Sequence, residues 1–321
     1  MLAALGFDLD TDAFDVSFGA PPLNQSSGRP RLYGMGDPVA GPLLGLFYDA
    51  PSTAEELAGP PDLTPAHSHS CDSFRIVMKG ELWVGQERYH HGEFRLQQSG
   101  IPYGQDGDAP HAQGNWRIIF FADRRGFAVR PTNPEARAQM RVAVEAMRDR
   151  YRDVLPEILD ADDGGVVGLV TTITTPVSTR GHIDGTFADV GAWQTLGESQ
   201  AAVSLLGLPD RGPVVVLAHT PAAATAAPEC TFDTDGFRLV VGGSYERAGT
   251  TYAMGDMRFQ GAGTQWDRVV AGPDGLDEVI ILGDRRGAVP HVDDGDGAAR
   301  AWRDELDATL ARLRADLAAS A

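Results

Sequence analysis

The chain is poor in two residue types that particular chemistries require. Lys79 is the only lysine among 321 residues, so Schiff-base chemistry has a single candidate side chain. The two cysteines, Cys71 and Cys230, cannot make a disulfide framework. We therefore expect reduced thiols and a cytoplasmic protein.

Long apolar runs and basic surface are also missing. No run approaches the roughly 18 to 20 apolar residues that a membrane span needs. The formal net charge of −18 argues against nucleic acid and anionic membranes as partners, because phosphate binding needs a basic face. The first residues carry no basic region and soon turn acidic, so we do not expect a signal peptide.

What the chain does contain is an internal repeat. Residues 73–104 align without a gap with residues 236–267, and Gly92 falls on Gly255 in this alignment. The sequence ADRRG after the first copy is answered by GDRRG after the second. Duplication predicts two domains of similar architecture, which we place at residues 1–160 and 161–321.

The local patterns within each copy are typical of short strands followed by a helix. Runs such as FRIVM, LWVG and EFRLQ alternate and are separated by glycines, as in small barrels and jelly rolls. Amphipathic helical patterns follow at 132–155 and 296–318. We predict an all-β fold with flanking helices, namely two tandem barrels, each followed by an α-helix. The acidic stretch 160–165 would link them, and residues 1–40 would form an arm around the second domain.

Two histidines mark the candidate site. His67 and His69 are one residue apart, just before a β-rich run. Side chains at positions i and i+2 of a strand point to the same face, so both imidazoles can converge on one ion. Histidine is the commonest ligand for such an ion.

The first copy resembles the cupin superfamily, and the whole chain resembles a bicupin. The first cupin motif, G-x5-H-x-H-x3,4-E-x6-G, is matched by His67, His69 and Gly80. Ser73 stands where the family has a glutamate. The resemblance therefore implies a metal site without its usual carboxylate.

The second cupin motif, G-x5-P-x-G-x2-H-x3-N, is present in altered form. Gly92 and Gly100 fit its two glycines, and its histidine would fall on Tyr103. His111, followed three residues later by Asn115, reproduces the end of the motif. Either His111 or Tyr103 is thus the third ligand that the resemblance implies, and we favour His111.

The resemblance to three-histidine cupin dioxygenases implies a function. His67, His69 and His111 would hold one divalent transition metal, with Fe(II) favoured and Mn, Ni, Zn or Cu also compatible. The chain would be a non-haem Fe(II) dioxygenase, an oxidoreductase acting on a small-molecule substrate. Tyr103 would stabilise developing oxyanion charge, and Arg75 would fix a substrate carboxylate. A homodimer is left open.

Two other functions stay open at this point. A redox-neutral isomerase, lyase or epimerase would use the metal only to polarise a carbonyl group. A non-catalytic cupin would bind a small molecule without turning it over. The same fold serves many functions, so the resemblance does not separate these alternatives.

The second copy lacks the chemistry of the first. Cys230 and Phe232 stand in place of the two histidines, and Trp266 replaces Tyr103. We expect this domain to bind no metal and to be filled by bulky side chains.

Arginines that both copies retain are better candidates for structure than for chemistry. The pairs 124–125 and 285–286 are expected to hold strands and turns through hydrogen bonds to carboxylates and carbonyls. Arg75 is the exception, because strand alternation places it on the same face as Ser73, toward the barrel interior.

Overall fold

The structure is a computed structural model that describes residues 13–18, 31–61, 63–127, 129–131, 134–135, 138, 172–173, 181–208 and 210–320. These residues divide into two compact units. The first unit contains the described residues from 18 to 138 together with 181–185, and the second contains 13–17, 172–173 and 186–320. Most of the predicted helix at 132–155 and the whole predicted linker lie outside the described residues.

The elements from residue 13 to residue 131 are strands with one short helix. In chain order they are β1 (Ala13–Ser17), β2 (Arg31–Gly34), β3 (Leu43–Asp49), α1 (Ala54–Ala58), β4 (His67–His69), β5 (Ser73–Lys79), β6 (Leu82–Val84), β7 (Glu87–Tyr89), β8 (Glu93–Gln97), β9 (Asp106–Asp108), β10 (Asn115–Phe121) and β11 (Val129–Pro131).

The elements from residue 172 onward are strands followed by one long helix. In chain order they are β12 (Thr172–Ile173), β13 (His182–Thr186), β14 (Gln194–Leu196), β15 (Ser199–Leu205), β16 (Val214–Thr220), β17 (Thr225–Ala227), β18 (Cys230–Thr231), β19 (Gly236–Arg247), β20 (Thr250–Ala253), β21 (Asp256–Gln260), β22 (Gln265–Trp266), β23 (Val269–Leu282) and α2 (Gly297–Ser320).

The first unit is built from antiparallel sheets. Its main sheet has the order β13-β8-β5-β10-β3-β2, and β7-β6-β9 and β11-β4 form two smaller sheets. The central strands β5 and β10 have the sequences SFRIVMK and NWRIIFF, which are rich in β-branched and aromatic residues. Nearly every side chain of β5 is buried, so both faces of this strand are covered.

The strand register places Arg75 on the inner face of this sheet. Arg75 pairs with Ile119 of β10 on one side and with Arg95 of β8 on the other. Directly paired residues in antiparallel strands project from the same face. The three side chains therefore share one face, as alternation from Ser73 predicts.

The second unit repeats this register. Its main sheet has the order β1-β21-β19-β23-β16-β15-β12. Arg238 of β19 pairs with Ile280 and Arg258, as Arg75 pairs with Ile119 and Arg95. The internal repeat predicted from the sequence is confirmed by these pairs. The predicted fold class, mostly antiparallel β-structure with a helix after the second barrel, is confirmed as well.

The predicted N-terminal arm is confirmed only in part. Strand β1 pairs with β21 and so belongs to the second unit. Strand β2, however, pairs with β3 and extends the sheet of the first unit. The segment between residues 31 and 40 was therefore assigned to the wrong unit, because a short strand without a motif does not reveal its pairing partner.

The retained arginines hold turns, as predicted. The Arg124 guanidinium donates to the carbonyl oxygens of Gly41 (3.0 Å) and Met35 (2.7 Å), and Arg285 donates to those of Gly212 and Leu206. The following arginine forks onto the aspartate two residues before it in both copies. Forked bonds of this kind fix the turn after the last barrel strand.

Helix α2 closes the second unit with an apolar stripe. The residues buried in this stripe recur every three or four positions and are Ala299, Trp302, Leu306, Leu310, Leu313 and Leu317. They pack in one cluster with side chains of the second unit's strands, including Val203 and Val216. In the part of the chain that the structure describes, neither helix could cross a bilayer.

The stripe of α2 predicts a stability difference between its two faces. Leu310 is fully buried and Asp307 is exposed on the same helix. Leu310→Ala should lower the free energy of unfolding by about 2–5 kcal/mol, because it leaves a cavity. Asp307→Ala should change it by less than about 0.5 kcal/mol. Urea unfolding of both variants measures this, and equal effects would contradict the packing described.

Candidate functional site

Strand β4 places two buried imidazoles inside the first unit. His67 is 2% exposed and His69 is 7% exposed. The Nδ1 atom of His67 lies 2.7 Å from the Pro65 carbonyl oxygen, and that of His69 lies 3.0 Å from the Phe127 carbonyl oxygen. A carbonyl oxygen only accepts, so each Nδ1 carries the proton and donates it. A neutral ring then has its lone pair on Nε2.

This arrangement is how histidines are held at metal centres. Donation from Nδ1 to a carbonyl fixes the tautomer and the orientation of the ring. Burial holds the pKa of His67 below its usual value, although the Asp106 carboxylate opposes this effect. His67 is therefore neutral at pH 7.

Tyr103 links His67 to Arg75. The backbone N–H of Tyr103 donates to the His67 carbonyl oxygen (3.0 Å), and its phenol O–H donates to His67 Nε2 (2.8 Å). Arg75 Nη2 donates to the same phenol oxygen. Burial raises the pKa of Tyr103 far above its usual value, although the Arg75 guanidinium acts in the opposite direction. The three side chains form a hydrogen-bonded chain that holds a neutral phenol at the imidazole.

Arg75 is 1% exposed and is among the largest fully buried side chains of the described residues. Its guanidinium stacks 4.4 Å above the Tyr103 ring, and Nη2 lies 3.9 Å from Asp106 Oδ2. Within the part of the chain that the structure describes, its Nε and Nη1 atoms are buried and have no hydrogen-bond partner. Buried polar groups are normally paired, so these two donors call for an acceptor.

Two carboxylates near this site, buried Asp106 and partly exposed Asp184, were not predicted from the sequence. Asp106, from β9, lies 3.8 Å from His67 Nδ1. Asp184, from β13, accepts from Arg95 Nε (2.8 Å) and from the Tyr89 hydroxyl (2.7 Å). Asp106 lies in an Asp/Gly-rich stretch that reads as a loop, and Asp184 is 89 positions from Arg95, so no local spacing could have found either.

The structure does not bring His111 to the histidine pair. His111 precedes β10, and its backbone N–H donates to Ser52 Oγ (3.0 Å). The other end of β10 carries Phe121, whose ring contacts that of His69 at 4.9 Å. A strand of seven residues spans roughly 20 Å, so His111 and His69 lie at opposite ends of it.

Asn115, the last residue of the altered second motif, forms hydrogen bonds with backbone groups. The side chain of Asn115 accepts from the Glu81 N–H (2.9 Å) and donates to the Ala109 carbonyl oxygen (2.8 Å). It also fills the space beside Gly80, whose φ of 84° favours glycine. The spacing from His111 to Asn115 thus reflects a turn rather than a ligand.

The donor set can now be compared with the expected metal. Among the described residues, no three His, Cys, Asp or Glu side chains form a group that could hold an ion. Two imidazoles and the phenol oxygen of Tyr103 do come together, with ring centroids 4.7 Å and 6.2 Å from the tyrosine ring. Nitrogen and oxygen donors of this kind fit a first-row transition metal. The donors that the structure brings together are thus two imidazoles and one phenol, and His111 is not among them.

The neighbours of the histidines have structural roles. Cys71 is buried against Gly126, and burial raises the pKa of its thiol. The Asp72 carboxylate accepts from the Ser99 N–H (2.8 Å). Ser73 is fully buried and brings only a hydroxyl to the place of the family glutamate.

The corresponding region of the second unit is filled, as predicted. Cys230 pairs with Trp266, and the rings of Phe232 and Trp266 pack at 5.3 Å. The cavity that these residues line with Arg238 has a volume of about 10 Å³, room for about one water molecule. A substrate-sized ligand has no space there.

Comparisons with known proteins give distant likenesses only. No protein family and no curated protein matches the chain by sequence. Salicylate 1,2-dioxygenase from Pseudaminobacter salicylatoxidans is similar over 80% of this chain and 77% of its own, at 14% identity and a TM-score of 0.43. Oxalate decarboxylase from Bacillus subtilis is similar over 85% of this chain and 73% of its own, at 11% identity and a TM-score of 0.35.

Vicilin from Corylus avellana is a further likeness, over 78% of this chain and 76% of its own, at 11% identity and a TM-score of 0.36. Every TM-score is below 0.5, and two of these proteins are named for different reactions. The assignment of the site therefore rests on the residues of this chain.

The choice of third ligand is testable with two variants. Tyr103→Phe should weaken metal binding by about 10-fold or more, because it removes the phenol oxygen beside His67. His111→Ala should leave metal affinity unchanged, because His111 lies at the far end of β10. Titration of the metal-free protein with Fe(II), Co(II) and Zn(II) measures both. Loss of affinity in His111→Ala alone would show that the third ligand is His111.

Proposed function

We propose that the first unit is a cupin-type, metal-dependent enzyme, an Fe(II) oxygenase acting on a small organic substrate. The observation that carries the proposal is the pair of buried, neutral imidazoles beside the chain from Tyr103 to Arg75. His67, His69 and Tyr103 would hold one ion. Iron is favoured from the resemblance to cupin dioxygenases, and Mn, Ni, Zn or Cu would also suit nitrogen and oxygen donors.

An iron ion bound there would supply Lewis-acid and redox chemistry toward dioxygen and substrate. The residues of the chain do the rest. The Pro65 and Phe127 carbonyl oxygens keep His67 and His69 in the tautomer that can ligate. Arg75 would offer an anionic group of the substrate two N–H donors that no described residue accepts.

A buried apolar cluster lies beside the site. Val77, Leu82, Val84 and Tyr89 form one buried cluster with Tyr103. Polar interactions are stronger in such surroundings than in water. A small, partly apolar molecule with one acidic group would match both the apolar wall and the arginine.

A second candidate function is binding without turnover. It is favoured by the hydrogen bond from Tyr103 to His67 Nε2, which already satisfies the lone pair a metal would need. Ligand binding by Arg75 would then proceed without metal. A redox-neutral metal enzyme is the third alternative, and the identity of the metal separates it from the oxygenase.

Metal content of protein purified without an affinity tag tests the proposal. We expect about one equivalent of iron in the wild type, a large loss in His67→Ala, and no change in His291→Ala, a control at an exposed histidine of the second unit. Iron-loaded protein should then consume dioxygen with a suitable substrate.

Other outcomes of this experiment are equally informative. Zinc or nickel with activity under nitrogen would favour the redox-neutral enzyme. Absence of metal in the wild type even after reconstitution would contradict a metal-dependent function and leave the binding protein.

A further inference from the structure

The second unit shows what a buried arginine at this position requires. Arg238 occupies the register of Arg75, and its Nε lies 2.8 Å from Glu278 Oε2 in an ion pair. The Glu278 side chain is completely buried. Burial raises the pKa of Glu278, and the Arg238 guanidinium opposes this rise. The arginine of the second unit therefore has a carboxyl group of its own chain as partner.

The first unit replaces that partner with an arginine. Glu278 pairs with Val240 on the neighbouring strand, two positions from the arginine. The equivalent pair in the first unit is Arg117 with Val77. The second unit thus has a carboxyl group, and the first a guanidinium, on the same face of the sheet and diagonal to the buried arginine.

Arg117 does not provide what Glu278 provides. It forms an ion pair with Asp108 and lies 4.9 Å from the Phe47 ring. Burial lowers the pKa of Arg117 and the charge of Arg75 lowers it further, while Asp49 and Asp106 act in the opposite direction. The register places the side chains of Arg75 and Arg117 on one face of the sheet, where the second unit has Arg238 and Glu278.

The acceptors around Arg75 and Arg117 do not pair with every N–H donor of these two guanidinium groups. Asp106 approaches Arg75 only at Nη2, at 3.9 Å. Considering only residues that the structure describes, Arg75 Nε, Arg75 Nη1 and Arg117 Nε are buried and have no hydrogen-bond partner. Arg238 Nε also makes no well-directed hydrogen bond to these residues, but a carboxylate oxygen lies 2.8 Å from it, whereas Asp106 lies 3.9 Å from Arg75. Leaving a buried charged donor unpaired is costly. The equivalent atom in the second unit, Arg238 Nε, is the one that lies close to the Glu278 carboxyl group.

We propose that Arg75 and Arg117 form a carboxylate-binding subsite, and that the ligand carboxylate takes the place that Glu278 holds against Arg238. The ligand is a small organic carboxylate with an apolar body that contacts the cluster around Val77. The inference rests on the proposed function in that it names the class of substrate for that same site. Binding of the carboxylate itself requires no metal.

Calorimetry and thermal unfolding of the full chain in EDTA test this subsite. The probes are acetate and benzoate, each compared with its neutral amide. We expect saturable binding of a carboxylate to the wild type, with a raised Tm, and no binding of the matching amide. Arg75→Gln should weaken binding by about 10- to 100-fold. Arg88→Gln, at an arginine partly exposed on β7, should leave it unchanged.

A second variant transfers the internal partner into the first unit. Arg117→Glu combined with Asp108→Ala gives the first unit the residues that the second unit has at the equivalent positions, Glu278 and Ala271. Ala271 is equivalent to Asp108, because it pairs with Tyr245 as Asp108 pairs with Leu82. This double variant should lose carboxylate binding and unfold at a higher temperature than the wild type. It keeps the test decisive even if Arg75→Gln does not fold.

Three results would overturn the subsite: equal binding of acids and amides, undiminished binding in the double variant, or no binding of either carboxylate. Each is independent of metal content. A protein that binds carboxylate without ever binding metal would refute the enzymatic function and keep the subsite. A protein that binds iron but no carboxylate would refute the subsite and leave the enzymatic function standing.

Discussion

The interior of the first unit depends on the buried guanidinium of Arg75, on a central strand of the main sheet. Burying the charge of Arg75 is unfavourable unless hydrogen bonds and counter-charges compensate. The Tyr103 hydroxyl accepts a hydrogen bond from Arg75 and donates one to His67 Nε2. The positions of the tyrosine and of the imidazole are thus both coupled to the arginine, and the site remains polar within an otherwise apolar barrel.

The two units show two solutions to the same problem. Both keep an arginine at one register of the central strand, but the second unit neutralises it with Glu278 and fills the surrounding space with aromatic rings. The first unit has the histidines, and Asp106 approaches Arg75 only to 3.9 Å, whereas Glu278 lies 2.8 Å from Arg238. The second unit thus compensates its buried arginine with a side chain of its own chain.

The sequence predicted the parts of the structure that depend on local pattern. Gapless alignment of the copies predicted the register of Arg75 and Arg238, and alternation placed Arg75, His67 and His69 correctly inside or on strands. Partners brought by distant strands could not be predicted. Asp106 and Asp184 meet the site only through the packing of β9 and β13, and His111 matched a motif spacing that the turn before β10 uses for Asn115.

Anomalous diffraction from a crystal of the iron-loaded protein tests the central claim most directly. The account predicts one iron peak, about 2.0–2.2 Å from Nε2 of His67 and of His69, with the Tyr103 oxygen as third protein ligand. It predicts no peak in the second unit. An iron peak ligated by His111 would contradict it. So would a crystal of the iron-loaded protein that shows no iron peak at His67 and His69.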